Sequence, residues 1–150
     1  MIVDVLQNIT SYCKLKLIMN VCQINKYTNE NIYVYEINEK LYGYNKMDSC
    51  TLLQNRYSRL KKLYVSHNKK LVDIDHLSLT LTYLEIGPHT YISNIYPFSN
   101  SITTLKCGGD TSYMSQECIN SFTNLKKLYI QGNKIIVNLN HLGKTLIKLN

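Results

Sequence analysis

The sequence predicts an α/β-type solenoid of short stacked coils, with parallel strands on a concave face and an irregular convex side. Three observations predict it. A nine-residue pattern returns along the chain as LKKLYVSHN from Leu60, LTYLEIGPH from Leu81, ITTLKCGGD from Ile102 and LKKLYIQGN from Leu125. The starts, continued by a partial copy LIKLN from Leu146, lie 21, 21, 23 and 21 residues apart. Every complete copy is apolar at its first, fourth and sixth positions, and three of the four carry Asn or Asp at the ninth. Repetition at this period marks a stacked array, because a single coil cannot bury its apolar face but neighbouring coils bury one another's.

The second half of each coil repeats as well. Leu71, Ile74 and Leu77 correspond to Ile92, Ile95 and Phe98, and again to Ile136, Leu139 and Leu142. Tyr57 and Phe122 each stand three residues before the next start. A fainter copy places Ile37, Tyr42 and Asn45 at its first, sixth and ninth positions, with Lys40 at the fourth and Gly43 over Gly108. The solenoid is therefore expected over residues 37–150, truncated in its last repeat. Leu146 and Leu149 begin an inward-facing strand with no capping sequence after it. An open strand edge of this kind favours end-to-end self-association or fraying.

Residues 1–36 read differently. Asp4 and Gln7 fit a capping box, and Leu6, Ile9 and Cys13 then share one helical face. Leu17, Ile18, Val21, Cys22 and Ile24 form a second helical set before the polar stretch Asn25–Asn31. Ile32–Ile37 fits a strand or a further helix end equally well. A short helical N-terminal region is expected here, for which capping the open edge of the solenoid is one reading.

The repeat resembles the leucine-rich repeat, whose LxxLxLxxN pattern fits Leu60, Leu63, Val65 and Asn68, and equally Leu125, Leu128, Ile130 and Asn133. Leu81, Leu84 and Ile86, and Ile102, Leu105 and Cys107, fit with hydrophobic substitutions, whereas His89 and Asp110 depart from Asn at the turn. The stretch IVDVLQNITSYCKLKLIMNVCQINKY resembles a degenerate F-box that lacks the family's Leu-Pro opening. That resemblance implies docking of a Skp1-like adaptor through Val5, Leu6, Ile9, Leu17, Ile18 and Val21; the competing reading is capping alone. Together with the Asn, Ile, Tyr and Lys bias, the two features resemble repeat proteins of giant DNA viruses (mimivirus-like) or of AT-rich protists. They imply a protein-interaction module, in the role of a ubiquitin-ligase substrate-recognition or adaptor-binding protein, against the alternative of a vestigial repeat fragment.

Period-two alternation sends Leu63 and Val65 inward and leaves their neighbours on the concave face. The outward residues are Lys62, Tyr64 and Ser66, then Tyr83 and Glu85, then Thr104 and Lys106, and finally Lys127, Tyr129 and Gln131. These are the candidate protein-binding residues. Parallel pairing sets Tyr64, Glu85, Lys106 and Tyr129 in one row, with Glu85 and Lys106 placed to pair as an exposed ion pair.

Composition bounds the function further. The formal net charge is +7, yet the lysines are scattered and form no block, so specific nucleic-acid binding is not expected. Cys13, Cys22, Cys50, Cys107 and Cys118 show no CxxC spacing and are odd in number, favouring reduced thiols in the cytoplasm, of a host cell if the chain is viral. No apolar run is long enough to span a bilayer, and Ile2–Leu6 is too short for a signal-peptide core. His76 and His141 recur at equivalent positions, Asp73 and Asp75 lack companion ligands, and Ser66–His67 lacks an orienting acid. Gly108-Gly109 lacks the rest of a phosphate loop. Neither catalysis, a metal nor a cofactor is expected.

Overall fold

The computed structural model describes residues 33–38, 48–88, 90–92, 94–109 and 114–150. The predicted N-terminal helices with their adaptor-docking residues, and Lys40, Tyr42, Asn45, His89 and Asp110, lie outside them. The described strands are β1 (Glu36–Asn38), β2 (Lys62–Val65), β3 (Tyr83–Ile86), β4 (Thr104–Cys107), β5 (Lys127–Tyr129) and β6 (Lys148–Leu149). They form one sheet in sequential order, every neighbouring pair parallel. The architecture is the open parallel solenoid that the repeats predict.

The repeat's apolar positions are its interior. Leu60, Leu81, Ile102 and Leu125 at the first position, and Leu63, Leu84, Leu105 and Leu128 at the fourth, are all fully buried. Val65, Ile86 and Cys107 fill the sixth, and Ile130 there is half-buried. Burying one such aliphatic side chain contributes roughly 1.5–3 kcal/mol, so the stack rather than any single strand supplies the stability.

The return limbs explain the unequal steps. The 21-residue coils close with single 3-10 turns, η2 (Asp75–Leu77), η3 (Tyr96–Phe98) and η4 (Asn140–Leu142). The 23-residue coil instead carries the helix Gln116–Ser121, capped by Ser115 Oγ, which accepts the Cys118 amide at 3.1 Å. Between β1 and β2 lie a short helix, α1 (Ser49–Leu52), and η1 (Asn55–Tyr57); the helix in the 23-residue coil is α2.

The faint first copy requires a correction. Ile37 pairs with Leu63 and therefore occupies the fourth position, not the first. Val34 holds the first position, and both side chains are fully buried.

Polar side chains close the turns. Asn68, fully buried, accepts the amides of Lys70 and Leu71 on its Oδ1 at 2.7 and 3.0 Å. Asn133 does the same for Ile135 and Ile136 at 2.9 and 3.0 Å. A second ladder was not anticipated from the repeat: Asp73, Asn94 and Asn138 each accept the amide two residues ahead, at 2.8, 3.0 and 2.9 Å, opening η2, η3 and η4. Asp73 thus has a structural task, as Asx turns commonly do.

Two coils are also tied backwards by side chains. His76 Nε2 lies 3.1 Å from the Leu52 carbonyl, and His141 Nε2 lies 2.9 Å from that of Ile119. Ser49 Oγ accepts the amides of Val72 and Asp73, and Gln116 Oε1 those of Val137 and Asn138. Each tie joins a helix-bearing coil to the LKKLY coil after it. The recurrence of the histidines is explained by these carbonyls.

Substituting the two turn asparagines tests their unequal burial. Asn68→Ala orphans two amides, that of Leu71 in the interior, and is expected to cost about 2 kcal/mol, because a buried unpaired group costs roughly 1–3 kcal/mol. Asn133→Ala, in the half-exposed last coil, is expected to cost less, since water replaces the lost acceptor. Urea midpoints of the two variants measure the difference.

Candidate functional site

Strand register arranges the outward side chains in columns. Lys62, Tyr83, Thr104, Lys127 and Lys148 form one, and Tyr64, Glu85, Lys106 and Tyr129 the next. The row expected from alternation is therefore present. Ser66 and Gln131 follow beyond the strands, with Gly87 and Gly108 between them. Gly87 is required sterically: a Cβ there would lie 2.2 Å from the Ser66 carbonyl oxygen.

At the N-terminal side the rings of Tyr64 and Tyr83 stack with centroids 4.4 Å apart, tilted by 32°. Lys62 pairs with Glu36 at 3.2 Å on the rim. Burial first, then the Glu36 charge, raises the Tyr64 phenol above its ordinary range, so it stays protonated.

Glu85 is the centre of the face. It pairs with Lys106 as expected, Oε2 to Nζ 3.2 Å, but it is only 9% exposed rather than solvated. The Tyr83 hydroxyl donates to the same oxygen and Ser66 Oγ to Oε1, each at 3.0 Å. The carboxylate is thus enclosed by three polar side chains, those of Tyr83 on its own strand and of Ser66 and Lys106 from the coils on either side. Burial works to raise the Glu85 carboxyl, but the hydrogen bonds from Lys106, Tyr83 and Ser66 outweigh it and hold the group below the usual range. The Tyr83 phenol moves the opposite way, raised by burial and by its bond to Glu85.

At the C-terminal side Tyr129 is flanked by two ammonium groups, Lys106 at 5.8 Å and Lys148 at 5.6 Å from the ring centroid. Lys148 is absent from the candidates read in the sequence, although its third place in LIKLN matches Lys62 and Lys127. A hollow of about 230 Å³ opens beside Glu85, Lys106, Tyr129 and Gln131. A second, of about 300 Å³, lies among Tyr83, Thr104, Lys106, Lys127 and Tyr129.

Ser66 donates its hydroxyl to the Glu85 carboxylate. Cys107 and Cys118 are buried free thiols; burial, aided at Cys107 by the neighbouring Cys118, pushes them up to about 12 and about 11. Among the described residues no group of three His, Cys, Asp or Glu side chains is placed to hold a metal ion. No helix among them is long and apolar enough to cross a membrane.

Fold and face together define a leucine-rich-repeat-like solenoid, the generic architecture of a protein-interaction scaffold. Neither family models, curated proteins nor solved structures give a significant match to this chain.

The Glu85 network gives a pH test. A carboxyl lowered in the folded state stabilises the fold above its unfolded pKa, and this contribution disappears as pH falls through the folded value. Wild-type protein is expected to lose stability through and below the ordinary carboxylate range. Glu85→Gln should be less stable at neutral pH and should show a flatter acid limb. Urea midpoints across a pH series provide the comparison.

Proposed function

We propose that this chain is a non-enzymatic protein-interaction module that binds a polypeptide partner across its concave strand face. The observation that supports this reading most is the ordered aromatic and charged surface, in which Tyr64, Tyr83, Glu85, Lys106 and Tyr129 hold one another in place. Tyrosines fixed in this way offer large contact area at little entropic cost. A photo-crosslinking residue placed at Tyr83 or Tyr129 should yield adducts with a discrete partner in cells. The same residue at Leu79, 92% exposed but outside the strands, should not. Equal labelling from all three positions contradicts the concave-face reading, and labelling from none favours a vestigial repeat fragment.

The module gains a role in a ubiquitin ligase if residues 2–35 recruit a Skp1-like adaptor in the cytoplasm. The F-box-like order of apolar residues supports this, with Val5, Leu6, Ile9, Leu17, Ile18 and Val21 shared between helical core and adaptor surface. Affinity purification of the intact chain should recover the adaptor, and deletion of residues 1–31 should lose it. Recovery that survives the deletion defeats the adaptor role and leaves the concave face untouched.

A further inference from the structure

We infer that the C-terminal part of the concave face is a subsite for an acidic side chain carried by an extended segment of the protein partner. The inference rests on the concave-face reading and gives it a chemical preference. It starts from an imbalance of charge. The Lys62 cation is answered by Glu36, and that of Lys106 by Glu85, both at 3.2 Å. Lys127 and Lys148 are direct register neighbours, and neither forms an ion pair with a carboxylate among the described residues. Like charges opposed on adjacent strands about 4.8 Å apart repel, and an anion between them relieves that repulsion.

The surroundings suit a carboxylate. Lys148, whose charge no carboxylate among the described residues answers, lies 5.6 Å from the Tyr129 ring centroid, which brings an uncompensated cation to one aromatic wall. The hollow of about 300 Å³ beside them is bounded by Lys106, Lys127, Tyr83, Tyr129 and Thr104, which brings a hydroxyl as well as ammonium donors. Charge-assisted hydrogen bonds of this kind are stronger than neutral ones.

The remainder of the face selects the carrier. Glu36 and Glu85 offset Lys62 and Lys106 in its N-terminal half, so a continuous run of phosphates along the rows would find no net positive charge there. That disfavours a nucleic-acid strand and favours a peptide with one localised anion. The stacked Tyr64 and Tyr83 provide an apolar platform for a second residue of the same segment. From this platform to β5 the distance is two or three strand spacings, about 10–14 Å, which an extended peptide covers in roughly three or four residues.

The test is selection of a displayed random-peptide library on the full chain, followed by binding of the labelled consensus peptide. Enriched peptides should carry Asp or Glu three or four positions from an aromatic or aliphatic residue. Replacing that acid by its amide, or combining Lys127→Gln with Lys148→Gln, should weaken binding about tenfold or more. Lys144→Gln, exposed but outside the strands, should leave it unchanged. Thermal melts confirm that the exposed lysine variants remain folded. Enrichment of peptides without an acidic position, or equal binding by the double variant, overturns the acidic subsite and leaves the interaction module standing. Tighter binding of an oligothymidylate than of the peptide assigns the cluster to nucleic acid and overturns it too. Failure to enrich any peptide removes both readings.

Discussion

Each coil of this chain is fastened to the preceding one through a carbonyl that accepts two amides. The Tyr35 oxygen takes the amides of Lys61 and Lys62, and the Lys61 oxygen takes those of Thr82 and Tyr83. The carbonyls of Thr82, Thr103 and Lys126 continue the series to β6. This fixes register at the start of every strand. A slip of one residue would send each leucine outward and each concave side chain inward, so the core and the face are specified together. The Tyr64, Glu85, Lys106, Tyr129 row exists because that single contact recurs.

The concave face is correspondingly uneven. Its middle is satisfied internally, since three donors surround the Glu85 carboxylate and one of them is the cation opposite. Its two sides remain available, an aromatic pair at one and lysines around Tyr129 at the other. A surface that differs from strand to strand does not suit a repeating ligand.

The strand half of the repeat was legible because its rule is simple: leucines at fixed spacing can only face inward in a stacked array. The concave columns followed from alternation. Glu85 was harder to read, since its surroundings combine Tyr83 with Ser66 and Lys106 from the neighbouring coils, and side-chain orientation is not a property of spacing. The first coil misled the repeat alignment because Ile37 fits two slots equally well, and only the pairing with Leu63 decides. Helix α2 and the Asp73, Asn94 and Asn138 turns left a fainter signal. That signal was an Asp or Asn followed by an aliphatic residue and, three places later, Leu or Phe. The ties from Ser49 and Gln116 are made between coils, and no short window of sequence contains both partners.

The unequal return limbs also shape the ribbon. A helix with its side chains is about 10 Å across, whereas adjacent strands stand about 4.8 Å apart. A coil backed by a helix is therefore wider outside than inside and acts as a keystone. A coil backed by a 3-10 turn is nearly parallel-sided. The coils of β2 and β3 are of the second kind, while that of β4 carries α2. The extra width on the convex side therefore enters the stack between β4 and β5, next to the coil that carries Lys127 and Tyr129.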